Sequence, residues 1–294
     1  MPPFEKLTAR TVIVTGEANG IGAQTIRTFH EQGTNVVIAH LPATREAAET
    51  LIDSLSDRSR FMFVLTDILD WENMKALFET TIVRFNQVDI VVANAGVMET
   101  QEFFNFETDE DGELKEPNET YKVIDINLKG TMNTLRLALH YMRSSSIILI
   151  SPTSGYFGST GVVCYVASKH GVVGLLRASQ RAAEAFGVRL NPVASFFTPT
   201  HITGSYAERW KAKGLHANTV KNVTEEIVKT ARDISVRGQC YLVAGQQTRE
   251  IESARTKLTL EWLGEEMANL LIQGGKFFDE LGGYPLPKPR VDQQ

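Results

Sequence analysis

A chain of 294 residues with a formal charge of −5 exceeds the roughly 200–250 residues of one compact α/β domain, yet hardly suffices for two. At 43% hydrophobic and 22% charged, the composition is that of a globular protein and excludes disorder, collagen or a coiled coil. Mild acidity supplies no basic face for DNA or RNA, and no apolar run approaches the roughly 18 residues of a membrane span.

The start, Met1-Pro2-Pro3-Phe4-Glu5-Lys6, has no apolar core of a signal peptide. The end, Arg290-Val291-Asp292-Gln293-Gln294, carries no lipidation or retention signal. Two cysteines, Cys164 and Cys240, make no disulfide framework. Free thiols in a reducing, cytoplasmic compartment are expected.

In chain order, short apolar runs alternate with helix-length stretches. Thr11–Val14, Asn35–Ala39, Phe61–Leu65 and Asp89–Ala93 come first; Ser146–Ile150, Val188–Val193 and Cys240–Val243 follow. Most are continuously apolar, the pattern of strands buried on both faces. Helical spacers between strands imply βαβ crossovers. The fold class expected is α/β: one doubly wound domain, a parallel sheet of about seven strands with helices on both faces.

Two stretches break the rhythm. Residues 103–119 are acidic, with seven acids and one base between Glu107 and Glu119; outside them the chain is close to neutral. A solvated surface insertion is expected there. After Gly245 the strand–helix alternation stops. The domain core is therefore placed at 8–245, with an extension over 246–294. That extension contains an amphipathic helix around Leu258–Leu271, which needs a surface of its own domain or of a partner to pack on.

The first strand runs into Thr15-Gly16-Glu17-Ala18-Asn19-Gly20-Ile21-Gly22. Glycines at a strand-to-helix turn let the backbone turn tightly and let a pyrophosphate approach the main chain at a helix N-terminus. At the end of the second strand, a fold selecting NAD places an acid for the ribose hydroxyl. Here stands His40, with Arg45 close behind. NADP(H) is the favoured cofactor, NAD(H) the alternative.

Farther on, Tyr165-Val166-Ala167-Ser168-Lys169 opens a helical stretch, so Tyr165 and Lys169 share a face. A tyrosine titrates near pH 10, and a neighbouring ammonium favours its phenolate. Tyr165 could then exchange a proton with a substrate oxygen as a hydride moves at carbon. The histidines show no zinc spacing, and neither a Walker A sequence nor a G-x-S-x-G elbow occurs. Phe103-Phe104 and Phe196-Phe197 are candidate pocket walls, with core packing the alternative.

Thr15-Gly16…Gly20-Ile21-Gly22, Asp67-Ile68, Asn94-Ala95-Gly96, Asn127-Leu128-Lys129-Gly130 and Tyr165…Lys169 together resemble the short-chain dehydrogenases/reductases over roughly residues 8–245. The surroundings of Asn127 are most similar to the 15-hydroxyprostaglandin dehydrogenase-like branch, including fungal members of secondary metabolism. The resemblance implies a Rossmann-type fold, a small-molecule substrate and a homodimer or homotetramer. It implies that Asp67 and Ile68 meet the adenine end, and that Asn94, Ala95 and Gly96 support the sheet and the ribose. Asn127 would hold a proton-relay water and Lys169 the nicotinamide ribose. Thr200 falls where the family contacts the nicotinamide, although Ser195-Phe196 stands in place of the family's Pro-Gly.

One departure concerns the chemistry. The family's serine, which donates to the substrate oxygen, falls on Pro152, which has neither a hydroxyl nor an N–H. If the segment stays extended, Ser154 shares the side of Pro152 while Ser151 and Thr153 point away. Ser154 is the expected substitute. The alternatives to a redox enzyme are an isomerase or cyclase with a structural cofactor, and a cofactor-sensing interaction protein.

Overall fold

Alternation along each strand accounts for the continuously apolar runs. In the computed structural model, which describes residues 6–16, 19–41, 45–158 and 161–288, successive side chains feed two separate cores. Val12 and Val14 of β1 (Thr11–Thr15) join one cluster, and Ile13 between them joins the other. Likewise Ile148 and Ile150 of β5 (Ser146–Ile150) face one side, Ile147 and Leu149 the opposite side.

The first core is covered by α1 (Gly20–Glu31), α2 (Arg45–Asp53) and α8 (Val220–Arg232). Over the second core lie α3 (Trp71–Phe85), α5 (Gly130–Tyr141) and α6 (Val163–Ala185). Burial of both faces is the main stabilising contribution, at roughly 25 cal/mol per Å² of apolar surface.

Eight strands form the sheet, in the order β3-β2-β1-β4-β5-β6-β7-β8. The others are β2 (Asn35–His40), β3 (Phe61–Leu65), β4 (Ile90–Ala93), β6 (Arg189–Ser195), β7 (Tyr241–Ala244) and β8 (Gln247–Glu250). The pairs from β3 to β7 are parallel, and β8 returns antiparallel from β7. Strand order reverses at β1, which lies between β2 and β4. Such a switch point opens a crevice at the carboxyl ends of the strands. Pro192, inside β6, is tolerated because pairing with β7 begins only at Val193.

The sheet runs past the expected end at Gly245. Gly245, with φ of 61°, turns the chain back into β8. Gln247-Thr248-Arg249-Glu250 is polar and largely exposed, so as an outer strand it shows no apolar pattern. One compact unit ends at Glu250 and a second begins at Ile251.

Within the second unit, the single helix expected over Leu258–Leu271 is not what forms. The chain makes α9 (Glu252–Lys257), α10 (Thr259–Leu263) and α11 (Glu265–Glu280). Gly264, at φ of 75° and ψ of 160°, breaks the helical path between the last two. Trp262, Met267, Leu270 and Leu271 are exposed.

Between β4 and α4 (Asn118–Ile124), the acidic segment folds back on itself. Thr108 bridges Leu114 antiparallel, and Asp109 Oδ1 accepts the N–H groups of Asp111 and Glu113. It is an exposed hairpin tip, and Phe103 and Phe104 pack edge to face on each other at 5.1 Å.

Candidate active site

The carboxyl ends of β1, β4, β5 and β6 converge on a cavity of about 520 Å³. Asn19, Gly20, Ile21 and Gly22 line one end, at the N-terminus of α1. Asn94 and Gly96 continue the wall, and Tyr165 and Lys169 of α6 with Thr200 complete it. Gly16 belongs to the turn without lining the cavity. Its φ of 108° suits glycine, and a Cβ there would come within 2.8 Å of Asn94 and Ala95.

Hydrogen bonds brace this side. Asn94 Nδ2 donates to Thr15 O at 3.1 Å, and the N–H groups of Asn94 and Ala95 reach Thr15 Oγ1 at 3.2 and 3.4 Å. Asn127 is fully buried in a π-helical segment, Asp125–Lys129, between α4 and α5. π segments inside helices recur at functional sites. Asn127 Oδ1 accepts the Val97 N–H at 2.8 Å, while Nδ2 donates to Val97 O at 2.9 Å and Ser168 Oγ at 3.0 Å. Its amide is thus taken up in clamping the chain that follows Gly96. Both Asn127 Oδ1 and Lys169 Nζ pack against Gly96, 3.2 and 3.3 Å from where a Cβ would stand.

Tyr165 and Lys169 lie one helical turn apart, with the ammonium 5.8 Å from the tyrosine ring centre. Lys169 Nζ donates to Ile150 O at 3.4 Å. Burial lowers the Lys169 pKa to about 8, because a buried ammonium loses its hydration. Burial also raises the Tyr165 pKa well above its usual value, with smaller contributions from Tyr206 and Glu99.

At the carboxyl end of β5 the chain does not stay extended. Thr153–Gly155 winds into a 3-10 turn, closed by the Gly155 N–H donating to Pro152 O at 2.8 Å. Pro152, Thr153 and Ser154 therefore all line the cavity. Thr153, expected to point away, thus borders the cavity beside Ser154. Ser151 is fully buried beneath the turn, its Oγ against Gly155.

The opposite wall is aromatic. Phe196 and Phe197 follow β6, while Tyr206 and Trp210 stand one turn apart on α7 (Gly204–Ala212); all four line the cavity. Trp210 lies 4.3 Å from Phe197 and 5.7 Å from Phe196, and Tyr206 lies 5.5 Å from Phe197, between ring centres. Trp210 Nε1 donates to His216 O at 3.0 Å, which fixes the indole. Buried Asn218 ties this loop to β7, donating to Thr198 Oγ1 at 3.1 Å and Val243 O at 3.0 Å. Of the two Phe pairs, only Phe196-Phe197 reaches the cavity.

Other expected residues lie outside that cavity. His40 ends β2, its Nδ1 accepting the Leu41 N–H. Asp67 Oδ1 accepts the Leu69 N–H at 2.9 Å, and Ile68 is buried against Gly130. The Arg45 side chain, and Glu17 and Ala18 of the glycine turn, fall outside the described residues.

The family model of the short chain dehydrogenases matches residues 10–211. The chain belongs to the short-chain dehydrogenase family. It is 30% identical to the short-chain dehydrogenase/reductase prx4 of Penicillium roqueforti, over 94% of this chain and 78% of that one. Identity to the 3-oxoacyl-[acyl-carrier-protein] reductase FabG of Staphylococcus aureus is 28%, covering 79% and 98%. Among solved structures, 3-hydroxyacyl-CoA dehydrogenase type-2 from Mycobacterium avium superposes with a TM-score of 0.70 at 26% identity, covering 81% of this chain and 96% of that one. As a short-chain dehydrogenase of Rossmann fold, the protein is an oxidoreductase that takes a nicotinamide dinucleotide. Glu99, Thr153, Tyr206, Trp210 and Asn218 belong to no motif. Only the spacing of Tyr206 and Trp210 just after Thr200 could have singled any of them out.

Proposed function

We propose that this dehydrogenase prefers NADP(H) and interconverts a carbonyl and a hydroxyl on a fairly apolar, ring-bearing small molecule, in secondary metabolism. One juxtaposition carries the reading: Tyr165 and Lys169 open on the same cavity as the N-terminal turn of α1. The aromatic wall supports an apolar ring as the substrate's body, since fixed rings favour stacked or edge-on partners.

The residues fit the cofactor. Gly16, Asn19, Gly20, Ile21 and Gly22 would hold the pyrophosphate at a helix N-terminus with no acid in its first turn. His40, Asp67 and Ile68 would meet the adenosine half, and Asn94, Ala95, Gly96 and Thr200 the nicotinamide half. His40 ends β2 where an NAD-selecting fold places a carboxylate, so nothing at that position repels a 2′-phosphate. The nicotinamide, when bound, supplies or accepts the hydride.

The chain's own residues manage the proton. Tyr165 gives it to the substrate oxygen in reduction and takes it in oxidation. The Lys169 ammonium, together with the positive charge of an oxidised nicotinamide, favours the phenolate. Asn127 secures the Val97 main chain beside both. Ser154, with Thr153 next to it, replaces the missing serine as donor to the substrate oxygen. Family resemblance supports a cytoplasmic homodimer or homotetramer.

Pro152 in the cavity wall favours a second reading, a non-redox isomerase or cyclase whose cofactor is structural. Fluorescence titration with NADPH and NADH, followed by cofactor oxidation over a panel of apolar ring ketones, separates the two. NADPH should bind about tenfold tighter or better, a difference of about 1.4 kcal/mol, and be consumed. Equal binding of the two cofactors removes the preference, and tight binding without turnover across the panel favours the second reading.

A further inference from the structure

A carboxylate outside the cavity reaches the helix that carries Tyr165. The clamp of Asn127 on Val97 fixes the start of a short segment, and two residues on stands Glu99. Its Oε1 accepts the N–H of Cys164 at 2.5 Å and that of Tyr165 itself at 3.1 Å. Helix α6 has no cap of its own, for Val162 offers no side-chain bond and the first turn holds no acid. Glu99 therefore satisfies two of the four N–H groups that a helix start leaves open, and sets a negative charge at its positive end.

A neutral acceptor would serve those N–H groups as well. What the carboxylate adds is negative charge at the helix end that bears Tyr165. Lys169 from its own helix stands by this ring, and Tyr206 from α7 and Glu99 from the segment after β4 act on it electrostatically. Burial chiefly, with Tyr206 and Glu99 adding to it, holds the proton on Tyr165. Lys169 opposes them only while it remains an ammonium.

Given Tyr165 as the acid/base, we propose that Glu99 is a positioning residue that orients Tyr165 through its main-chain N–H and sets a negative charge at the helix end that bears it. In carbonyl reduction, a bound reduced nicotinamide would supply the hydride to the carbonyl carbon. The Tyr165 O–H bond breaks as the product O–H bond forms, and solvent reprotonates the phenolate.

The test uses Glu99→Gln, which keeps the acceptor and deletes the charge, and Glu99→Ala, which deletes both. Rates in both directions over about pH 6–10 are read alongside amide exchange at Cys164 and Tyr165, with Tyr165→Phe as control. In Glu99→Gln, slow exchange should persist. The basic limb of reduction and the acidic limb of oxidation should both move to lower pH by about half a unit or more. Glu99→Ala should exchange faster at both amides and lose about tenfold in kcat, with cofactor Kd unchanged. Unmoved limbs in Glu99→Gln, or unchanged exchange in Glu99→Ala, overturn the proposal. Full activity in Tyr165→Phe would instead overturn the acid/base reading beneath it.

Discussion

The two walls of the cavity are built on different principles. The cofactor side, from the α1 turn through Asn94 and Gly96 to Asn127, is held by polar groups that each fix a main-chain atom. Facing it, the β6–α7 side is held by ring packing among Phe196, Phe197, Tyr206 and Trp210, with Asn218 beneath. Fixing a main-chain atom admits few residue types at fixed spacing, whereas an apolar wall can be built in many ways. On the proposed function, the first wall is the part shared with the family, and the second is where substrate choice would be set.

Substitutions should break the two walls differently. Apart from Tyr165 itself, the largest effect belongs to Lys169→Met, which should cost about 10²-fold in activity through the acid/base it supports. Its effect on stability runs the other way. The Lys169 pKa falls from 10.5 to about 8 on burial, so between these values the unfolded chain binds more protons. Native stability therefore rises with pH across that window, and the full burial penalty applies below pH 8. Melting curves of the cofactor-free protein at pH 7 should show a higher Tm for Lys169→Met. They should also show a flatter rise of Tm above pH 8; an unchanged Tm at both pH values would refute the burial argument.

Trp210→Ala strikes the other wall. It should raise KM for apolar ring ketones by about tenfold, near 1.4 kcal/mol, and leave cofactor Kd within about twofold. Equal weakening of both ligands in calorimetric titration would mean the walls are not separable. The smallest effect concerns the replaced serine. Ser154→Ala should lower kcat about fivefold and more than Thr153→Ala, short of the full loss of a lone donor because Thr153 lines the cavity beside it. Comparable small losses in both would show the hydroxyls sharing the role.

Legibility in the sequence follows the same division. The glycine turn, Asn94, Tyr165 and Lys169 stand out because their chemistry fixes residue type and spacing, and structure gathers them around one cavity. Seven strands were visible as apolar runs, but β8 is polar and lies at the sheet edge, where no burial constrains it. The turn at Thr153–Gly155 is not legible in the sequence, because no local pattern separates it from an extended continuation of β5, and the winding brings Thr153 as well as Ser154 to the cavity. Asn127 was visible as a motif, but not as a clamp on Val97, since that contact spans 30 residues. Glu99 lies 66 residues from the N–H it caps, beyond any local pattern.

If Tyr165 carries the proton while other residues hold the cofactor, Tyr165→Phe should separate the two functions. NADPH-dependent reduction of an apolar ring ketone should fall by about 10³-fold or more in kcat, with NADPH Kd unchanged. Retention of wild-type kcat in a variant that still binds NADPH would contradict the account.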